Sequence, residues 1–254
     1  MTIFEALLLG ILQGITEFLP ISSSGHLVLG EHLLGVITTG LVFEVAVHLG
    51  TLCSIIYVFR DDLLELLRSL RTAATWRLIL TIVIGTIPAV VVGLGFKDRI
   101  EAAFDSIQLV GAALMVTGLL LILTRWARER GCTPGPLNGF IIGLAQALAI
   151  LPGISRSGST ISMALFLGIS GEQAARFSFL LAIPAILGAG VLHALDIAAT
   201  GTAASITPAV LTGFLSSLAV GIVALKFLLR TLKSGRFHWF GIYCLAVGLL
   251  TLVG

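Results

Sequence analysis

An all-α polytopic membrane protein of two repeats with inverted topology, each a re-entrant helical hairpin followed by three transmembrane helices, is the fold class that this sequence predicts. Three observations lead there. Of 254 residues, 57% are hydrophobic and only 11% are charged, against about 45–50% apolar and about 25% charged in a soluble domain. Six stretches, 41–59, 78–96, 106–124, 177–195, 208–228 and 239–253, reach or approach the roughly 20 apolar residues that cross a bilayer. Two further apolar stretches, 3–34 and 137–167, are each broken at a cluster of Pro, Ser and Gly.

The two broken stretches are copies of one another. A constant shift in numbering carries Gly10 to Gly143, Gln13 to Gln146, Ile21 to Ile154, Ser22 to Ser155, Ser24 to Ser157 and Gly25 to Gly158, with Pro20 and Pro152 one place out of register. Neither arm of either stretch is long enough to cross alone. Non-helical backbone at membrane depth survives only when buried in protein or lining a wet cavity, so each stretch reads as a re-entrant hairpin. Three spans follow each hairpin, and an odd number of crossings turns the second half over. The expectation is one membrane domain with repeat 1 at about 1–126 and repeat 2 at about 134–254, its broken segments meeting near the midplane. The later stretches 111–121 and 241–250 also resemble each other, Gly118 standing against Gly248. Glycines such as Gly85, Gly93, Gly111 and Gly118 are expected to permit close helix packing.

Charge sets the orientation. The connections 60–77, 125–130 and 230–236 hold Arg60, Arg68, Arg71 and Arg77, then Arg125, Arg128 and Arg130, then Arg230, Lys233 and Arg236; the opposite connection 97–105 holds only Lys97 and Arg99, and 196–207 holds no basic residue. Arg-rich loops stay in the cytoplasm, so both termini lie outside and hairpin one enters from the outer side. The segment 61–70 reads as an amphipathic helix on the inner surface. The net charge of +2 is spread over segment ends and implies no nucleic-acid partner. The three cysteines, Cys53, Cys132 and Cys244, lack metal-ligand spacing and read as packing residues. The N-terminus does not read as a signal peptide, since it lacks a basic start and Glu5 and Glu17 interrupt the apolar run.

Chemistry is expected where the two copies differ: Glu17 faces Ile150, Ser23 faces Arg156 and His26 faces Ser159. A carboxylate in an apolar arm is expensive in hydrocarbon and marks a functional position. Gln13 lies four residues before Glu17 on the same helix face, so the two can hold a hard divalent cation through oxygen; alternatively Glu17 orients His26, accepts a proton, caps the turn or pairs with an arginine. Ser22 is a good N-cap, and the backbone N–H groups that follow it suit phosphate. Ser23 or Ser24 can act as nucleophile with His26 as its base or as proton donor to the leaving group; His26 itself or a bound water can attack instead, and the serines can serve only as caps. In the second copy, Arg156 is the one basic residue between Arg130 and Arg176. It calls for an anion, either phosphate oxygens gripped bidentately or Glu17. Ser155, Ser157, Ser159 and Thr160 surround it with hydroxyls, while Gly158, like Gly25, lets backbone approach a ligand. Glu44 and His48 can line the pocket, carry protons or form a structural pair. His193 and His238 read as interface residues.

These residues carry a resemblance. Gln13-x-x-x-Glu17 with FLPISSSGH, followed by PGISRSGST, is similar to the two signature regions of the bacterial undecaprenyl-diphosphatases, the bacitracin-resistance family, and the similarity runs over essentially the whole chain. The resemblance implies hydrolysis of undecaprenyl diphosphate to undecaprenyl phosphate, recycling the carrier for peptidoglycan and other wall polymers. It implies a multi-pass protein of the bacterial inner membrane whose site faces outward, a polyprenyl diphosphate lipid as partner, and magnesium or calcium as cofactor. It places the family's acidic pair on Gln13 and Glu17, its serine on Ser23, its histidine on His26 and its arginine on Arg156. Here the first acidic position is a glutamine. Whether the chain forms a homodimer the sequence leaves open. A transporter or flippase of a polyprenyl phosphate is the alternative, because inverted repeats with broken helices are also a transporter architecture. The type 2 phosphatidic acid phosphatase class shares a Ser-Gly-His motif, but here no histidine follows Arg156 until His193.

Overall fold

Each half of the chain begins with two short helices that fold back on each other. In the computed structural model, which describes residues 1–36, 41–199 and 207–253, the first pair is α1 (Ile3–Thr16) and α2 (Ser23–Leu34). Then come α3 (Leu41–Val58), α4 (Arg60–Arg68), α5 (Ala73–Gly95), α6 (Lys97–Phe104) and α7 (Ile107–Leu123). The second half repeats the plan with the hairpin α8 (Pro136–Leu148) and α9 (Arg156–Phe166), then α10 (Gly171–Ala199), α11 (Pro208–Lys233) and α12 (Trp239–Val253). Among the described residues the regular elements are helical, apart from one isolated bridge between Cys132 and Ile169.

Four helices are long and apolar enough to cross a membrane unaided, Ala73–Gly95, Ile107–Trp126, Gly171–His193 and Pro208–Lys233, and α3 makes a fifth crossing if counted with α4, which bends away from it by 67°. The expected sixth span, α12, is apolar but only 15 residues long, short of the roughly 20 that a span takes. The arms of the hairpins are shorter still, at 14, 12, 13 and 11 residues. Large apolar side chains such as Val91, Val223 and Leu250 stand exposed on the outer faces, a belt that lipid would cover and water would not. α10 starts earlier than expected, at Gly171, because its first turns are polar and paired: Glu172 bonds Lys233 of α11 at 3.6 Å and Arg176 bonds Asp62 of α4 at 2.7 Å. These ion pairs gather α4, the start of α10 and the end of α11 at the end of the bundle that carries the Arg-rich connections. The connection 97–105, expected as a loop, forms the short helix α6, supported by a Lys97–Glu101 pair at i, i+4.

Glycine packing makes the two-fold relation visible. An added Cβ at Gly118 would stand 2.8 Å from the Gly241 carbonyl oxygen, and one at Gly241 would stand 2.6 Å from that of Gly118. One at Gly248 would stand 2.7 Å from the Gly111 oxygen, and one at Gly111 would stand 3.1 Å from that of Gly248. The contact is reciprocal and antiparallel, as a two-fold axis between α7 and α12 requires. The hairpins obey the same relation: Gly10 of α1 presses on Gly213 of α11, and Gly143 of α8 presses on Gly85 of α5. Lipid tails are as apolar as leucine, so close backbone approach and van der Waals contact hold such pairs together. Gly93 departs from the expectation, since a Cβ there meets only Ile150 Cδ1 at an ordinary 3.7 Å. Gly118→Val is expected to cost about 1–3 kcal/mol or more, the usual range for overpacking, and Gly93→Ala less than about 0.5 kcal/mol; thermal unfolding in detergent compares the two.

Candidate active site

Both hairpin tips are built on a capping serine. α2 opens at Ser23, with Ser22 accepting the Gly25 N–H through its Oγ at 3.3 Å; α9 opens at Arg156, with Ser155 accepting the Gly158 N–H at 3.0 Å. The tips then interlock. Ser22 Oγ also accepts the Gly153 N–H at 3.2 Å, and the Ser157 hydroxyl donates to the Leu19 carbonyl at 3.3 Å. Thr117 of α7 supports the second tip from behind, donating to the Gly153 carbonyl at 2.9 Å and accepting the Ser155 N–H at 3.1 Å. Phe18, next to Glu17, is fully buried against Phe179 of α10, with ring centroids 5.8 Å apart, which fixes the end of α1.

The carboxylate of Glu17 is the hub. One oxygen, Oε1, pairs with the Arg156 guanidinium across the two tips. The other, Oε2, accepts the Ser23 hydroxyl at 2.6 Å and the Gln13 amide N–H at 3.1 Å, with His48 Nε2 of α3 at 4.0 Å. Glu17 and Arg156 are 6% and 17% exposed at their side chains. Arg156 keeps a second nitrogen, Nη1, buried with no hydrogen-bond partner. Such a donor is costly unless something accepts from it.

Apart from Gln13, which is fully buried, these groups face a cavity of about 280 Å³. Its polar end is Glu17, Ser22, Ser23, Ser24 and Arg156, with Glu44 and His48 from α3. Its apolar wall comes from α3, the second tip and the second half of α10, where Ala185, Ala189 and Gly190 leave room. His193 also lines it. The other sequence candidates stand behind the wall. Gly25, Ser155, Ser157 and Gly158 join and cap the tips as described. Ser159 is buried, and the Thr160 hydroxyl donates to the Arg156 carbonyl at 2.8 Å. His26 does not line the cavity: its ring lies against Tyr243 of α12. Tyr243 and Thr117 were not singled out from the sequence; a lone tyrosine or threonine in an apolar helix is ordinary until its partner is known.

Gln13 bears on a metal. Its amide N–H is spent on Glu17, and its Oε1 is buried without a partner. Among the described residues no three His, Cys, Asp or Glu side chains converge, so a closed protein cage is not built here. An amide oxygen and a carboxylate suit a hard cation such as magnesium, but Gln13 is fully buried and does not line the cavity, so of the pair only Glu17 faces it.

Fold and site together define a polytopic membrane protein whose two half-repeats combine unlike tips, one acidic and one basic, into a single polar pocket. Residues 6–250 match the family described as bacitracin resistance protein BacA. Proteins named undecaprenyl-diphosphatase are similar over their full length: that of Desulfosudis oleivorans is 45% identical (98% of this chain, 97% of the relative), that of Christiangramia forsetii 43% (100% and 98%) and that of Carboxydothermus hydrogenoformans 42% (100% and 97%). The chain belongs to the bacitracin resistance protein BacA family, a family of enzymes. The buried ion pair gives a stability test. Arg156→Met strands a buried carboxylate and is expected to cost about 3–5 kcal/mol, whereas the double substitution Glu17→Gln with Arg156→Met recovers most of it; with Glu17→Gln alone, the double-mutant cycle on thermal unfolding measures the coupling.

Proposed function

We propose that this chain hydrolyses undecaprenyl diphosphate to undecaprenyl phosphate and inorganic phosphate, at a site open to the outer side of a bacterial inner membrane, and so returns the lipid carrier to cell-wall synthesis. The observation that carries this reading is the Ser23–Glu17–Arg156 chain of contacts: a hydroxyl, a base and a guanidinium in one pocket within apolar protein. The names of the relatives supply the substrate. Sidedness is supported by the first turns of α3 and the second half of α10 lining the cavity, since both lie away from the Arg-rich end of the bundle.

Phosphoryl transfer asks a protein mainly for positioning and charge stabilisation. The terminal phosphate enters beside Arg156, whose planar fork and unpartnered Nη1 suit its oxygens. Ser23 Oγ attacks the terminal phosphorus, and its proton passes to Glu17 Oε2. The bond from that phosphorus to the bridging oxygen breaks, and undecaprenyl phosphate leaves with the oxygen. Water then attacks the phosphoserine, inorganic phosphate departs, and Glu17 returns the proton to Ser23. Glu17, backed by Gln13, would hold magnesium or calcium, which when bound would offset the negative charge of the diphosphate. The polyprenyl tail lies along the apolar wall. A transporter would use the same architecture, but its two gates would carry matched chemistry. Here the second tip has Ile150 and Ser159 where the first has Glu17 and His26.

The test is phosphate release from a C55 polyprenyl diphosphate by purified protein in detergent, with magnesium, calcium or a chelator. Wild type is expected to release phosphate and to stop with chelator. Glu17→Gln is expected to lose about 10²–10⁴-fold, and Arg156→Ala about 10³-fold or more. Quenched wild type should carry the terminal phosphate on Ser23. A Ser23→Ala variant with near-full turnover would remove the serine nucleophile and put water or His26 in its place. No release from wild type that still binds the lipid phosphate would favour the transporter.

A further inference from the structure

The first tip contains a backbone conformation that the second avoids. Ser22 has φ 70° and is the one non-glycine residue with positive φ among the described residues. The displaced proline explains it. In the second tip Gly153 follows Pro152 and takes the positive φ, at 94°. In the first tip only Ile21 separates Pro20 from the cap, and Ser22 takes it instead. A side chain in that region stores strain, which persists only where surroundings hold it. The residue so held is the one immediately before Ser23.

Ser22 Oγ is held by the Gly25 and Gly153 N–H groups, and His26 holds its carbonyl. The Ser22 carbonyl accepts two bonds from this one residue, from the His26 N–H at 3.1 Å and from Nδ1 at 2.9 Å. A carbonyl cannot donate, so Nδ1 carries the hydrogen. The other ring nitrogen, Nε2, is 2.9 Å from the Tyr243 hydroxyl, and the two rings stack at 14° with centroids 5.6 Å apart. With Nδ1–H spent on Ser22, Nε2 of the neutral ring accepts and Tyr243 donates. Neither His26 nor Tyr243 lines the cavity, and the far edge of Tyr243 borders a separate apolar groove beside Trp239 and Phe240. Meanwhile the Ser23 hydroxyl is already bonded to Glu17.

We infer that Tyr243 is a positioning residue for the hydrolysis: its hydroxyl fixes the tautomer of His26, which clamps the strained Ser22 turn and so presents Ser23 to Glu17. This rests on the proposed serine chemistry and deepens it. It makes His26 a brace behind the nucleophile, and it makes the last helix of the second repeat part of the first repeat's site.

The experiment compares wild type with Tyr243→Phe, which keeps the stacked ring and removes only the hydroxyl, and with Tyr243→Leu, which removes both. The readouts are kcat and KM for the C55 diphosphate, thermal unfolding to confirm folding, and side-chain ¹⁵N spectra of the histidines, with His26 assigned from a His26→Gln sample. Tyr243→Phe is expected to lower kcat about three- to tenfold, the size of one neutral hydrogen bond, with KM within about twofold, and to move the His26 Nε2 resonance. Tyr243→Leu is expected to lose more. Unchanged kcat, an unmoved His26 Nε2 resonance or a loss confined to KM would each overturn the assignment. The spectra need no turnover, so they judge Tyr243 even if wild type releases no phosphate.

Discussion

The ion pair between Glu17 and Arg156 is the constraint on which the rest of the structure depends. Neither charge is tolerable alone in an apolar interior, where an unpaired ion costs several kcal/mol even after relaxation. Each hairpin supplies one partner, so neither tip can be buried until the other arrives. That explains why the tips interlock through Ser22, Gly153 and Ser157 and why α7 reaches in with Thr117 to hold the second tip. It also explains why Arg156 can serve a ligand. A guanidinium held by one carboxylate oxygen, with Nη1 still unpartnered, can share a phosphate without leaving its place.

The two-fold plan and the unlike chemistry are products of the same repeat. The glycine contacts between α7 and α12, and of α1 with α11 and α8 with α5, preserve the relation between halves. The polar positions break it. Gln13 finds Glu17 four residues on, whereas its counterpart Gln146 has Ile150 there, and both atoms of the Gln146 amide are buried without a partner. The proline is the subtler break: its one-place displacement moves positive φ from a glycine in one tip to a serine in the other. Symmetric packing thus delivers two backbone cradles to one place, while local substitutions give them different work.

Much of this was legible in the sequence because polar residues are rare in an apolar chain. Glu17 and Arg156 announce themselves by cost, and the Pro-Ser-Gly clusters announce the hairpins by interrupting two long apolar runs. What the sequence withheld are partners that look ordinary in isolation. Tyr243 sits in an apolar terminal helix, and only its distance from His26 gives it meaning. His193 and the small residues of α10 become a cavity wall only once α10 passes beside the tips. Histidine next to a Ser-Ser-Ser-Gly run invites reading as its base, yet its ring turns toward α12, because a helical residue one turn past the cap can bond back to the cap's carbonyl. Gly93 shows the opposite error, since a glycine in a membrane helix is not by itself evidence of close packing.

On the proposed reading the substrate has a highly charged head and a long apolar tail, and the cavity offers both polar and apolar lining. Its head end is walled by both tips and dense with hydrogen-bonding groups, while the wall from α10 includes the small residues Ala185, Ala189 and Gly190 after Pro184, a residue that weakens the helix ladder where it stands. On the proposed reading, the buried end supplies a low-dielectric setting in which Arg156 acts more strongly on a developing charge than it would in water. Such a setting helps only if the acceptor is already in line, because an ion pair that must rearrange during the reaction loses much of its advantage. On that reading the rigidity of the serine turn is part of the chemistry. A turn that costs free energy to hold, fixed by contacts from the other repeat, keeps Ser23 on Glu17 before any phosphate arrives.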